Sequence, residues 1–164
     1  MAKLSIRDLA LQGKTVFIRV DFNVPLAPGG QEITSDKRIR AALPTIKYAL
    51  EQGAGVILAS HLGRPKGKKS SKYSLESVGR WLADQLSCEV LVPDDCVGDA
   101  AIHLIANQRP GQIVLLENLR YHAGEEDNSE DFARKLMDLC DVYVNDAFGA
   151  VHRAHASVSA LPKM

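Results

Sequence analysis

The feature that most constrains this chain is an alternation of two hydrophobic periods along its length. Five short runs rich in Val, Ile and Leu recur: Thr15–Val20, Gly55–Ser60, Glu89–Val92, Gln112–Glu117 and Asp141–Asn145. Their nearly continuous apolar character suits strands buried on both faces of a parallel sheet. Between them the apolar period changes to three and four residues. Ile39, Ala42, Leu43, Ile46 and Leu50 form one such stripe, closed by Gly53 where a C-terminal cap belongs. Pro44 within this stripe implies a kink or a later helix start. Leu75, Val78, Leu82 and Leu86 form a second stripe, with Ser74 as its N-cap, and a weaker third runs from about Val97 to Ala106. A fourth opens at Ser129, with Glu130 and Asp131 in its first turn and a buried stripe of Phe132, Leu136, Met137 and Cys140. Strand–helix–strand repeated in this way predicts an α/β fold: a doubly wound parallel sheet with helices on both faces, Rossmann-like, in three αβα layers. No helix pattern follows the fifth run to cover it, which reads as a domain whose remainder lies on other sequence.

Composition narrows the function classes. The 164 residues fit a single α/β domain spanning 1–164, and 46% hydrophobic with 24% charged residues is ordinary for a folded globule. Twenty basic residues balance twenty acidic ones. With no net charge, nucleic acid and anionic membrane are not expected partners, and any anion affinity must come from local clustering. No charge-free apolar run reaches the roughly 18 residues of a membrane span, and the first residues lack the apolar core of a signal peptide. Cys88, Cys96 and Cys140 show no C-x-x-C spacing and read as small hydrophobes in a reducing cytoplasm; no metal is expected.

In open parallel sheets, ligands bind at the carboxyl ends of the strands. The first strand runs into Asp21-Phe-Asn23-Val-Pro25, the second into Ser60-His61-Leu-Gly63-Arg64-Pro65, and the fourth into Glu117-Asn118-Leu-Arg120-Tyr-His122. The fifth runs into Asp146-Ala-Phe-Gly149-Ala-Val-His152-Arg153-Ala-His155, while the third ends blandly in Pro93-Asp-Asp. Taken singly, each arginine reads as a solvated loop charge. Taken together, His61, Arg64, Arg120 and Arg153 converge on one rim, and gathering cations there costs repulsion unless an anion relieves it. Arginine's fork matches phosphate and carboxylate oxygens. If the cluster is purely functional, removing Arg64 or Arg120 leaves the stability of the ligand-free chain intact. Asp21 accepts hydrogen bonds and repels phosphate, so it should face a hydroxyl; its alternative is a structural pair with Arg19 or another arginine. An acceptor beside cations points to a ligand such as a phosphorylated hydroxy acid.

Other motifs fail on spacing. Gly63-Arg-Pro-Lys-Gly67-Lys-Lys-Ser70 lacks the Walker A pattern, and Gly53-Ala-Gly55 enters a strand instead of opening a helix. His152-Arg-Ala-His155 has too few companions for a metal site. The lysines of Lys66–Lys72 read as a solvated loop.

Val16-Phe-Ile-Arg19-Val-Asp21-Phe-Asn23-Val-Pro25 resembles the signature segment of the phosphoglycerate kinase family. Asp36-Lys-Arg38-Ile-Arg40-Ala, Ser60-His-Leu-Gly-Arg64-Pro, Leu116-Glu-Asn-Leu-Arg120 and Asp146-Ala-Phe-Gly149-Ala-Val-His-Arg153-Ala-His155 resemble it in the same order, from about Leu9 to the final residue. The resemblance implies a cytoplasmic glycolytic transferase, a kinase that moves a phosphoryl group between 1,3-bisphosphoglycerate and ADP to give 3-phosphoglycerate and ATP. Such kinases have two α/β domains. The match covers the N-terminal, substrate-holding one; the C-terminal domain that binds Mg-ATP or Mg-ADP is absent from the matched sequence, so this chain itself holds no cofactor. By matched motif, Asp21 and Asn23 hold the hydroxyl and carboxylate region of 3-phosphoglycerate, and His61, Arg64, Arg120 and Arg153 its phosphate. Arg38 points at the carboxylate and the phosphoryl group in flight, as the catalytic residue, and Phe22, Leu62 and Gly63 complete the substrate-binding segments. The resemblance further implies a monomer when complete, with the missing C-terminal domain as partner, and an isolated chain inactive alone. The alternative is a stand-alone phosphoglycerate-binding module without chemistry.

Overall fold

The apolar runs pair side by side into one all-parallel sheet. A computed structural model describes residues 6–27, 32–147 and 155–164. Its strands are β1 (Thr15–Val20), β2 (Gly55–Ala59), β3 (Val90–Leu91), β4 (Ile113–Leu115) and β5 (Val142–Asp146), in the order β3-β4-β2-β1-β5. The helices are α1 (Lys37–Glu51), α2 (Glu76–Leu86), α3 (Asp99–Ala106), the short α4 (Ala123–Glu126) and α5 (Glu130–Met137).

Alternation of side chains along each strand divides the core into two layers. Val16, Ile18, Val20, Val56, Leu58, Ile113 and Leu115 form one, covered by Ile39, Ala42, Ile46 and Ala49 of α1 and by Val78 and Leu82 of α2. Phe17, Ile57, Ala59, Val114 and Leu116 form the other, covered by Ala101 of α3 and by Phe132, Ala133 and Leu136 of α5. Each Val, Leu or Ile buried in this way contributes about 1.5–3 kcal/mol. This is the three-layer αβα architecture that the two periods require. Gly79 lets α2 lie close on the β3 edge, where a Cβ would stand 2.9 Å from Val92 Cγ2.

Several local expectations change. Helix α1 runs unbroken through Pro44 from Lys37, so proline does not delay its start; Pro44 lies on the exposed side, where water can take the hydrogen bond it removes. Gly53 follows the helix with φ +79°, after Gln52 has closed it. Ser74 stands one residue outside the α2 cap position, yet its hydroxyl accepts from Glu76 N at 3.2 Å. Ser129 caps α5 as expected, accepting from Phe132 N. Met137 is exposed rather than buried, because it falls off the stripe set by Phe132 and Leu136. Among the described residues, no helix is long and apolar enough to cross a membrane.

Candidate functional site

Strands β4, β2 and β1 are neighbours, so their carboxyl ends deliver three segments to one stretch of sheet edge. The apolar strands fix where each segment starts, and polar side chains within the segments tie them together. From β1, Phe22 N donates to Ser60 Oγ after β2 at 2.9 Å, and Ser60 Oγ donates in turn to His61 O at 2.9 Å. Gly63 N donates to Asn23 Oδ1 at 2.8 Å. Asn118, fully buried after β4, donates to Leu62 O at 2.7 Å and Tyr73 O at 3.0 Å, and accepts from Leu62 N at 3.2 Å and Arg120 N at 3.0 Å. All the hydrogen-bonding capacity of its amide hydrogens is used to fix the loops that carry His61 and Arg120.

On this frame the expected site residues meet. Arg38, in the first turn of α1, donates through Nη1 to Asp21 Oδ1 at 3.2 Å and to Asn23 O at 3.0 Å. Asn23 N donates to Asp21 Oδ1 at 3.2 Å. Arg120 Nη1 donates to Gly63 O at 3.1 Å. A continuous series of hydrogen bonds therefore joins Arg38, Asp21, Asn23, Gly63 and Arg120, with exposed Arg64 directly after Gly63. Asp21 does pair with an arginine, but its hydrogen bond comes from Arg38, while the Arg19 guanidinium is engaged with Ser157, His61 and Glu125. The Arg38–Asp21 pair is half open to water, where such pairs stabilise a fold by about 1 kcal/mol at most. Phe22 and Leu62 are core residues that anchor their loops by burial. Arg153 lies outside the described residues.

Arg120 differs from the expectation of a free rim charge. Its residue is buried, its backbone is capped by Asn118, and its guanidinium holds the Gly63 carbonyl, so it supports the loop it adjoins. The lysines at 66, 68, 69 and 72 are exposed, as a solvated loop requires.

A second layer escaped the sequence reading. Arg19 is fully buried; it donates through Nε to Ser157 Oγ at 2.8 Å, and its Nη2 lies 2.9 Å from His61 Nδ1. Glu125, also fully buried, lies 3.8 Å from Arg19 Nη2 and accepts from Ser157 N at 2.7 Å and from Ser157 Oγ. Burial lowers the Arg19 pKa, Glu125 opposes that shift, and the charge of Arg120 adds to it. Arginine can only donate, so His61 Nδ1 is the acceptor and Nε2 carries the imidazole hydrogen. Glu117 plays a similar supporting part, accepting from Leu75 N at 2.7 Å, Asn118 N at 3.0 Å and Ser74 Oγ at 2.6 Å. Arg19 and Glu117, each inside an otherwise apolar run, were the available signals; their partners, far along the chain, were not.

Among the described residues, neither glycine-rich segment fits a nucleotide phosphate. Gly53 N, Ala54 N and Gly55 N are spent on Leu50 O, Ala49 O and Lys14 O, and Gly67 N on Arg120 O. No fan of free N–H groups opens a helix there.

The chain is similar to known proteins in sequence and in fold. The family model for phosphoglycerate kinase matches residues 6–164. A phosphoglycerate kinase of Solibacter usitatus is 58% identical over 167 residues, covering 100% of this chain and 42% of the relative. One from Acidobacterium capsulatum is 58% identical, covering 98% and 41%. Among solved structures, phosphoglycerate kinase from Coxiella burnetii superposes with a TM-score of 0.83 at 40% identity, covering 96% of this chain and 38% of that one. The enzyme from Pyrococcus horikoshii OT3 gives 0.83 at 34% identity, covering 96% and 40%. This chain thus spans about two-fifths of the length of the relatives it matches.

Proposed function

The chain belongs to the phosphoglycerate kinase family, corresponding to its N-terminal part, and on that premise we propose that it supplies the 3-phosphoglycerate site of the reversible phosphoryl transfer between 1,3-bisphosphoglycerate and ADP. The observation that carries this reading is the series of hydrogen bonds uniting Arg38, Asp21, Asn23, Gly63 and Arg120 at three adjacent strand ends. It sets a carboxylate acceptor at one end of a cationic rim, as a ligand with hydroxyl and phosphate groups needs. Arg64 and Arg120 meet the phosphate, His61 offers Nε2–H to it, and Asp21 takes the hydroxyl. Arg153 joins the phosphate set by motif.

The residues of this half need no general base, because the substrate carboxylate is already ionised at neutral pH. Their work is orientation and charge stabilisation. Arg38 is held in place by Asp21 and Asn23 O before any ligand arrives, so its charge is preorganised for negative charge that develops during transfer. Mg-ATP or Mg-ADP is assigned to the part of the family's length that this chain does not span.

Titration calorimetry tests the reading. 3-Phosphoglycerate binds modestly, with affinity falling as salt rises because the attraction is partly Coulombic. Tight binding of Mg-ATP, or none of 3-phosphoglycerate, overturns it.

A further inference from the structure

The third strand's end is not bland. Asp95 and Cys96 follow β3, His122 follows the 3-10 turn Leu119–Tyr121 after β4, and β3 and β4 are neighbours. Asp95 Oδ1 lies 2.7 Å from His122 Nε2 and also accepts from Cys96 N at 2.7 Å. One ligand atom from each of Asp95, Cys96 and His122 lies within 4.8 Å of the other two. The His122 ring stacks on Phe132 with centroids 5.1 Å apart, and Cys96 is fully buried, so packing keeps both donors on the same side of the β3–β4 edge.

We infer that Asp95, Cys96 and His122 form a binding site for one borderline divalent metal ion of the Zn2+ class, with the remaining position left to solvent. The site uses no group assigned to the anion rim. A sulfur, an imidazole nitrogen and a carboxylate oxygen are a donor set suited to Zn2+ or Co2+ and poorly matched to Mg2+ or Ca2+. Tetrahedral coordination at ordinary bond lengths places ligand atoms roughly 3.3–3.6 Å apart. The Asp95–His122 pair must therefore open by about 0.6 Å and the Cys96 sulfur close by up to about 1.3 Å. Asp95 and His122 are partly exposed, which gives the ion a path from solvent.

The step balances simply. The Cys96 S–H bond breaks, its proton passes to solvent, and the sulfur pair forms the bond to the metal. The Nε2 hydrogen of His122, now donated to Asp95, is replaced by one on Nδ1. One proton leaves per ion bound. The thiolate is the ligand form of cysteine, so binding of the ion displaces that proton.

The test is titration of the 164-residue chain with Co2+, followed by displacement with Zn2+. The expected result is one ion per chain, a thiolate-to-Co2+ charge-transfer band in the near ultraviolet, and the visible bands of tetrahedral Co2+. Cys96→Ser abolishes the charge-transfer band, and His122→Gln weakens binding by about tenfold or more. Cys88→Ser and Cys140→Ser leave both unchanged. Because Cys96 lies in the core, His122→Gln, at a partly exposed position, decides the matter if Cys96→Ser fails to fold. Absence of a thiolate band, or the same affinity in His122→Gln, overturns the site.

Discussion

Asn23 and Gly63 stand 40 residues apart in sequence and meet through a 2.8 Å hydrogen bond from Gly63 N to Asn23 Oδ1. This bond fastens the loop after β2 to the loop after β1, and Arg120 grips the same glycine from the other side through its carbonyl. Gly63 is where the three segments of the proposed site are joined.

Gly63 adopts φ +61°, and a Cβ there would come within 2.5 Å of Tyr73 Cδ1 and Cε1. Gly63→Ala is expected to cost about 1–3 kcal/mol, combining left-handed backbone strain with displacement of the ring. Urea unfolding measures it. Adding Tyr73→Ala should recover the steric part and leave the backbone part; an unchanged midpoint in the single variant would show that the loop is not clamped.

Arg64 and Arg120 should separate in their effects. Arg64→Ala is expected to weaken 3-phosphoglycerate by about 1.5–3 kcal/mol, the scale of a charged hydrogen bond, with thermal stability unaltered. Arg120→Ala should weaken binding similarly and also destabilise the ligand-free chain by about 1–3 kcal/mol, because the Gly63 carbonyl loses its donor. Calorimetric titration paired with thermal melts distinguishes them. Equal stability for both variants would return Arg120 to the status of a simple rim charge.

In the proposed function, Arg38 serves turnover more than affinity. In a form that includes the nucleotide-binding part, Arg38→Ala should lower turnover by roughly 10²–10³, the effect of losing one preorganised donor. Binding of 3-phosphoglycerate should fall by less than about tenfold, or 1.4 kcal/mol. Steady-state kinetics beside equilibrium binding is the measurement; collapsed affinity with surviving turnover would make Arg38 a ground-state anchor.

The Arg19–Glu125 pair lies wholly in the interior. Glu125→Leu leaves the Arg19 charge uncompensated and should cost about 3–5 kcal/mol, as should Arg19→Met for the reverse reason. The double variant should cost much less than the two losses added together. Chemical denaturation of the three variants gives this coupling, and simple additivity would mean that the pair does not act as a unit.

Asp146, at the end of β5, has a carboxyl pKa raised by burial, with a hydrogen bond to Thr45 acting against the rise. Folding therefore favours its protonated form. That contribution is complete below the ordinary Asp value near 3.8 and is lost as pH climbs through the higher folded value. Since the group is about half solvated, the effect is discounted to a few tenths of a kcal/mol. Asp146→Asn should be slightly more stable than the parent at neutral pH and indistinguishable at pH 3 or so, read by melts across pH.

Short β-branched runs and helical stripes lie in local order, so five strands, their parallel arrangement and the helices on both faces are legible along the chain. The sequence also places the segments carrying Asp21, Asn23, His61, Arg64 and Arg120 at the carboxyl ends of adjacent strands, because strand ends share an edge whatever the details of pairing. Met137 and the start of α1 were missed because a stripe does not fix where it stops facing the core, and a proline on a helix's outer side is tolerated. Which charges face solvent and which brace the loops depends on how the segments pack. Arg38 and Arg120 look alike in sequence, yet one stands in solvent and the other is buried under Asn118's cap. Arg19, Glu125 and Ser157, like Asp95, Cys96 and His122, come from distant segments, and no local period records that they touch. A buried charge is decided by its partner, and the partner is chosen by how the chain packs.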